Sequence, residues 1–296
     1  MKIRVSGAFA CEVLLILCAL LLIGCGRDEE KFPQGATTQR ATNASRPRSL
    51  RIVSLSPLAT RFVIEIGAAD QLVGVDSDSR SLSGLDRVAV VDLESLRDLA
   101  PDLVLVRRLP SDEEAVRDLR SEGIRLVEFS PHDMEDVYGY CRGLGADLVG
   151  VAGANSFERR IARPMAIVAG RSPSFGRPRV VALVSVDPPV LAGGHSFETD
   201  LIEVAGGSSA THGGEDTRIE YSSARLRALA PDLVLVTTTL PATEAEIARA
   251  RAVIPDEFRV AFFDFARDTF WLREPVTDAE RLRSLFLSLG FESGAK

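Results

Sequence analysis

The chain has 296 residues, 46% hydrophobic and 26% charged, with 42 acidic side chains against 35 basic ones and a net charge of −7. That is enough apolar material for one or two sizeable cores, which excludes an intrinsically disordered protein. The acidic balance argues against nucleic acid as a partner.

Residues 1–24 differ from the rest. Lys2 and Arg4 give a positive start, residues 13–23 are almost wholly apolar, and Leu22-Ile23-Gly24-Cys25 closes the run. It is too short for a comfortable membrane span and has the layout of an export signal. Its end resembles a bacterial lipobox, at which Cys25 is lipidated and becomes the new N-terminus. The alternatives are an ordinary signal, or an N-terminal membrane anchor with a chance cysteine. Cys11 and Cys18 fall in the segment that would be discarded, so Cys141 alone remains in the folded part, where its helical pattern reads as a small buried hydrophobe. Residues 25–50 are polar and rich in Pro, Gly, Ser and Thr, and read as a flexible tether.

Structure is expected from Arg51, where RIVSLSP forms a short strand ended by a turn. A helix follows over 60–67, then strands at 72–75 and 87–90. Residues 96–106 read LRDLAPDLVLV, a helix that stops before Pro101 because the residue preceding proline is pushed out of the α region, then an apolar strand. A charged helix over 111–121 and a strand at 124–129 complete a first lobe, 51–132. Residues 133–171 carry no strand signal; they are mostly helical in pattern, are broken by glycines and by Pro164, and form a helical connector. Alternation resumes in a second lobe, 172–296, with RPRVVALVSV from Arg177, a helix over 198–205, and then 226–236, which reads LRALAPDLVLV. The two copies differ only at Asp98 and Ala228 and are offset by 226 − 96 = 130 residues, too sparse for a solenoid. A helix over 242–253, a strand at 258–263 and a closing helix over 275–289 finish the chain. The reading is α/β: lobe, helical connector, lobe, each lobe with a mostly parallel sheet covered by helices.

Several segments together resemble a known family. They are Ile52-Val53-Ser54-Leu55-Ser56-Pro57 with Thr60, Ile66-Gly67, Val73-Gly74-Val75, Leu93-Glu94 ahead of Leu99-Ala100-Pro101-Asp102-Leu103-Val104, Leu144-Gly145, Val149-Gly150 and Ala205-Gly206-Gly207. In order and spacing they resemble the helical-backbone substrate-binding proteins of ABC importers, the branch that binds cobalamin, ferric siderophores and haem. The resemblance covers about 51–289. It implies two Rossmann-like lobes joined by a long connecting helix, modest opening and closing around a ligand, and docking of both lobes onto an ABC permease, with no catalysis and no resident cofactor. A metal chelate or tetrapyrrole is the implied cargo. A monomer tethered to a membrane by its N-terminal lipid, on the periplasmic or extracellular face, is the implied form.

In that architecture the ligand lies beyond the strand C-termini. The candidate contacts are Ser56 and Thr60, Asp78 and Arg80, Arg107 and Arg108, His195 and Phe197, Thr237 and Thr238, and Trp271, the lone tryptophan. Paired arginines at a cleft favour an anionic ligand; the alternative is a solvated pair answering residues 112–114. The Gly193-Gly194-His195-Ser196 turn precedes a helix whose free N–H groups could hold an anion, or Ser196 is only an N-cap. Trp271 either packs on a flat ligand or is core. Glu94 matches a carboxylate that the family projects toward the permease. The corresponding place in the second lobe is Ala224, a departure from the family that leaves Glu220 as the nearest substitute. Without the family, Glu94 is an acidic residue stabilised by a helix N-terminus.

Only His132, His195 and His212 are histidines, and His132 falls at the entrance to the connector, outside the expected cleft, so no metal site is expected. Haem iron could take His195 as an axial ligand. Gly194-His195-Ser196-Phe197-Glu198 looks like most of a hydrolase nucleophile elbow, but Glu198 stands where the sharp turn needs glycine and no histidine follows His212. A lipid-anchored scaffold that has lost transport is a further alternative.

Overall fold

The computed structural model describes residues 49–82, 84–85, 87–109, 113–171, 176–265 and 275–291. The first lobe is a five-stranded parallel sheet in the order β3-β2-β1-β4-β5, built from β1 (Ile52–Leu55), β2 (Leu72–Val75), β3 (Ala89–Val90), β4 (Leu103–Val106) and β5 (Arg125–Glu128). Because the chain steps outward from β1 to β3 and then returns to place β4 on the other side of β1, the strand order reverses between β1 and β4. A crevice opens beyond the strand C-termini at such a reversal.

Helix α1 (Pro57–Glu65) starts earlier than the periodicity predicts. Ser56 caps it by accepting from the Ala59 N–H, and Pro57 occupies the first helical position, where its missing donor costs nothing. Helix α2 (Glu113–Ser121) covers the outer side of this sheet.

The second lobe is a six-stranded sheet in the order β11-β10-β6-β7-β9, from β6 (Arg179–Val186), β7 (Pro189–Ala192), β9 (Arg218–Glu220), β10 (Leu233–Thr238) and β11 (Val260–Asp264), with the two-residue β8 (Ser208–Ser209) against the start of β6. Strands β6, β10 and β11 are parallel, whereas β7 runs antiparallel to both of its neighbours, β6 and β9, an edge that the sequence pattern does not announce. The proline-rich run 187–189 looks like a loop, yet 187–188 are the turn and Pro189 opens the returning strand opposite Val186. This lobe's helices are α5 (Phe197–Val204), α6 (Ser223–Leu229), α7 (Glu244–Val253) and α8 (Pro275–Ser288).

The duplicated peptide does the same job in each lobe. Asp102 Oδ2 accepts from the Arg51 N–H at 2.8 Å, and Asp232 Oδ2 accepts from the Arg179 N–H at 2.7 Å, each joining the repeat's strand to the head of the lobe's first strand. The same arginines donate through Nε to the carbonyls of Leu99 and Leu229, ending the preceding helix. Ala100 and Ala230, ahead of the prolines, sit in the left-handed region at φ 42° and 44°. The residue before proline thus leaves the right-handed helical region, as expected, but into a left-handed C-cap and not an extended one. The first copy forms only a single 3₁₀ turn, Leu96–Leu99, because Asp92 bonds the Glu94 and Ser95 N–H groups and pre-empts a longer helix, whereas Ser222 caps a full α6 in the second copy.

Four consecutive apolar residues are needed in β4 and at the start of β10 because both faces of each sheet are buried. Ile52, Leu103 and Leu105 belong to a central core, and Val53, Val104 and Val106 to an outer one. In the second lobe Val180, Leu233 and Leu235 join that same central core, while Val181, Val234 and Val236 face a separate outer cluster.

The connector lies in this central layer. It begins with α3 (Met134–Tyr140), passes through a π turn (Cys141–Gly145) and continues as α4 (Ala146–Ala169). This is the long connecting helix that the family resemblance implies, with one break along its length. Gly150 adopts φ 77°, ψ 160°, which only glycine accommodates readily, and breaks the helix, whereas Pro164 stays inside it. Buried Gln71 donates to the Leu148 carbonyl at 2.8 Å beside the break. Phe157, Ile161, Met165 and Val168 of α4 pack in one continuous cluster with Phe62 of the first lobe and Phe286 of the second. Among the described residues no helix is long and apolar enough to cross a membrane.

Candidate functional site between the lobes

A cavity of about 420 Å³ opens at the strand reversal of the first lobe and is closed by two residues of the second. Ser56, Pro57, Leu58 and Arg61 come from the start of α1, Arg107 follows β4, and Phe129, Ser130, Pro131 and His132 follow β5; Phe197 and Arg218 come across from α5 and β9. The size is that of small-molecule pockets, and the wall mixes apolar surface with a few convergent polar groups.

The wall is held from behind. Tyr140 of α3 accepts from the Ser130 N–H at 3.2 Å and donates to the Glu128 carbonyl at 3.0 Å, and burial pushes its phenol up from the ordinary value. Asp136 Oδ2 accepts from the His132 N–H at 2.9 Å. Glu128 Oε2 accepts from the Leu109 N–H and so pins the turn that carries Arg107. Phe129 stacks on Phe62 and Tyr140 at centroid distances of 4.8 and 4.4 Å, which fixes one apolar wall, and buried Phe197 supplies another.

Electrostatically the cavity is the reverse of the chain as a whole. Arg61, Arg107 and Arg218 converge on it in a protein of net charge −7. Buried Glu198, 3.5 Å from Arg218 Nη1, offsets part of one of these charges. Guanidiniums against apolar walls of low dielectric recognise carboxylates or other oxyanions through charge-assisted, often bidentate, hydrogen bonds.

Of the residues singled out from the sequence, Ser56, Arg107 and Phe197 line this cavity. Thr60 does not: it is fully buried, its hydroxyl donates to Ser54 Oγ at 2.9 Å and lies 3.0 Å from Ser79 Oγ, so it braces the loops from beneath. Asp78 and Arg80 are exposed on a 3₁₀ turn, Asp78–Ser81, and with Arg108 lie outside the lining. Thr237 and Thr238 line a different cavity of about 460 Å³, at the C-terminal ends of β6 and β10, with Ser185, Leu240 and Phe265. Trp271 and Cys25 lie outside the described residues.

His195 also misses the lining; its Nδ1 lies 3.1 Å from Asp133 Oδ2. Ser196 is the N-cap of α5, accepting from the Thr199 N–H and donating to the Gly193 carbonyl at 2.8 Å, which leaves its hydroxyl unsuited to a nucleophile's role. The two glycines before it are required by packing: a Cβ on Gly193 or Gly194 would fall 1.9 or 2.0 Å from the carbonyl oxygens of Asp216 and Gly214. Glu94 and Glu220 are exposed on different lobes, Glu94 in the turn before the 3₁₀ helix and Glu220 at the end of β9. Among the described residues no group of three or more His, Cys, Asp or Glu is placed to hold a metal ion.

Arg61, His132 and Arg218 are lining residues that the sequence pattern alone does not single out. Arg61 could have been found from the Ser56-Pro57 cap, which starts α1 early enough to put Pro57, Leu58 and Arg61 on one face at helical spacing. His132 reads from the sequence as the entrance to the connector, but β5 pairs with β4 so that Glu128 sits opposite Val106, and the residues after each strand emerge at the same sheet edge. Arg218 could not be placed without the β7–β9 pairing, which sets it opposite Ala192.

Comparison with known proteins agrees with the two-lobed fold. The sequence profile described as periplasmic binding protein matches residues 52–253. An uncharacterized ABC transporter substrate-binding lipoprotein, YvrC of Bacillus subtilis, is 29% identical over a match covering 38% of this chain and 42% of the relative, so the chain spans about two-fifths of the length of the curated relative it matches. Among solved structures, the haem-binding protein HutB of Vibrio cholerae superposes with a TM-score of 0.61 at 18% identity, covering 80% of this chain and 99% of that one. An ABC transporter substrate-binding protein of Listeria monocytogenes gives 0.61 at 17% identity, covering 80% and 98%. The vitamin B12 binding protein BtuF of Vibrio cholerae gives 0.55 at 18%, covering 82% and 98%. At these identities the likeness is one of fold.

Proposed function

The chain belongs to the periplasmic binding protein family, and on that premise we propose that it is an extracytoplasmic receptor that captures an anionic iron chelate between its lobes and presents it to an ABC permease. The observation that carries this reading is the convergence of Arg61, Arg107 and Arg218 with Phe129 and Phe197 on one inter-lobe cavity of an otherwise acidic protein. A flat or compact ligand bearing carboxylates satisfies both sets of groups. Cobalamin, whose corrin side chains are amides and whose one anionic group is the phosphodiester of its nucleotide loop, offers three guanidiniums less charge than a polycarboxylate and is the weaker fit. The role is binding without covalent chemistry. The Leu22-Ile23-Gly24-Cys25 motif, together with a relative named as a lipoprotein, supports attachment to a membrane through Cys25. Exposed Glu94 on the first lobe and Glu220 on the second are the proposed permease contacts, with Ala224 leaving the second position shifted relative to the first.

Isothermal titration of the purified protein with ferric siderophores, ferric haem and cyanocobalamin tests the reading. At least one anionic iron complex should bind saturably, and Arg107→Ala should weaken it by roughly tenfold or more, since a hydrogen bond to a charged group contributes about 1.5–3 kcal/mol. Tight binding of cyanocobalamin alone, unaffected by loss of Arg107, would refute it.

A further inference from the structure

We infer that Glu198 limits the charge of the ligand: its carboxylate, buried behind the wall against Arg218, lowers the positive potential on the second-lobe side, so that the cavity favours a chelate with fewer negative charges than the wall has guanidiniums. The inference rests on the reading of the cavity as the site of an anionic chelate and adds how that charge is selected.

A carboxylate is costly to place here. Glu198 is 1% exposed, the most deeply buried charged side chain among the described residues, and Phe197, Leu201 and Ile202 beside it on α5 are apolar. Taking a carboxylate out of water costs more than one partner usually returns, so an apolar side chain would serve the fold as well or better. The start of α5 favours an acidic residue in its first turn but does not require it to be Glu198, since Asp200 stands in the same turn.

The placement is fixed by the fold. The Gly193 N–H donates to the Thr217 carbonyl and the His195 N–H to the Asp216 carbonyl, both at 3.1 Å, which locks the turn ahead of α5 onto the segment leading into β9. Glu198 Oε2 then lies 3.5 Å from Arg218 Nη1, a nitrogen that also donates to the Thr217 carbonyl at 2.7 Å. The effect needs no hydrogen bond between the two side chains. It is Coulombic and acts through a buried region of low dielectric. Burial first, then the carboxylates of Asp133, Glu203 and Glu198, push Asp200 up to about 6, so the charge of Glu198 is felt in this interior despite Arg218.

The consequence for a ligand is a division of labour along the wall. Arg218 keeps its place in the lining as a directed donor. An anion brought against it also meets the carboxylate behind it, and each further negative charge on the ligand raises that repulsion in proportion.

The test titrates the purified full chain with a polyanionic ferric tricatecholate and an uncharged ferric trihydroxamate at low and high salt, comparing wild type with Glu198→Gln, Glu198→Asp, Arg218→Gln and the double variant Glu198→Gln/Arg218→Gln. Glu198→Gln keeps the size of the side chain and removes its charge. It should bind the tricatecholate at least about fivefold more tightly at low salt, with the gain shrinking as salt is raised and the trihydroxamate affinity unchanged. Glu198→Asp, which keeps the charge, should behave as wild type. Arg218→Gln should bind the tricatecholate most weakly, and the double variant, which has neither charge, should recover part of that loss. The double variant against Arg218→Gln reads the same removal of charge and decides the matter if Glu198→Gln does not fold. A structural role alone would weaken both chelates together and leave the salt dependence as it is. Equal tricatecholate affinity in wild type and Glu198→Gln overturns the inference, as does a parallel change for both chelates or a gain indifferent to salt, and each of these leaves the receptor reading standing. Binding of no anionic iron complex by any of the proteins removes both.

Discussion

Replacing Asp200 by asparagine should make the protein more stable at neutral pH, although it deletes a charged group that makes a hydrogen bond. Asp200 lies on α5, and its Oδ2 accepts from the Met134 N–H at 2.7 Å, joining the second lobe to the head of the connector. Burial, together with the carboxylates of Asp133, Glu203 and Glu198, pushes its pKa up from 3.8 to about 6, against the pull of the Met134 bond. A carboxyl whose pKa is raised on folding holds an extra proton in the native state between those two values. Its stability contribution is therefore intact below about 4 and is lost as pH rises through about 6. The interval from 3.8 to about 6 corresponds to a cost of about 3 kcal/mol above pH 6, at about 1.4 kcal/mol per pH unit. In Asp200→Asn the side-chain amide retains an oxygen that can accept from Met134 and carries no charge to bury. Urea unfolding at intervals from pH 4 to 7.5 should show the variant overtaking wild type as pH rises, by up to about 3 kcal/mol at the top of the range. A difference that stays constant across this range would refute the reasoning, because no uptake of a proton by native Asp200 could then be involved.

Gly150→Ala forces a side chain into φ 77°, ψ 160°, and should cost about 1–3 kcal/mol, read as a lowered urea midpoint with an unchanged slope. Ala230→Gly relieves a left-handed alanine at the end of α6; the gain, about 1–2 kcal/mol less the larger chain entropy of glycine, should leave roughly 0.5–1 kcal/mol of added stability by the same measurement. Cys25→Ala should move the protein from the membrane pellet to the soluble fraction of fractionated cells, and unchanged pelleting would remove the proposed lipid attachment.

The two halves are legible in the sequence because the repeat packs the same way twice. A run such as Leu103–Val106 can be continuously apolar only if the sheet is covered on both faces, and its second copy in β10 meets the same condition. The β7–β9 edge is not legible because its turn and first strand share the prolines at 188 and 189, and a proline in a short run reads as loop until the pairing with Val186 is seen. The site is obscured in a similar way. Thr60 sits at the right place in the chain, but its hydroxyl is taken up by Ser54 and Ser79, a long-range pairing that no local pattern encodes. His132 carries the opposite signal: residues 134–140 just after it are helical, which draws it into the connector, while the loop that carries it leaves the end of β5 and lines the cavity.

The shared core bears on how such a site works. Were the lobes to swing widely, the cluster that runs from Phe62 through Phe157 and Ile161 to Phe286 would have to part. Exposing even about 200 Å² of apolar surface there would cost about 5 kcal/mol, comparable to the whole stability of many domains. Large closure around a ligand is therefore disfavoured by the same apolar packing that joins the lobes. The cavity wall is held by Tyr140, Asp136 and Glu128 in place of closure. Affinity then has to come from groups already in position, with little ordering to be done on binding. It also follows that Glu94 and Glu220, on separate lobes, keep a nearly constant separation whether or not a ligand is bound. In the proposed receptor role, a permease would then have to distinguish loaded from empty protein by small shifts at the lobe edges and not by that separation, with Phe197 and Arg218 the second-lobe residues that line the cavity.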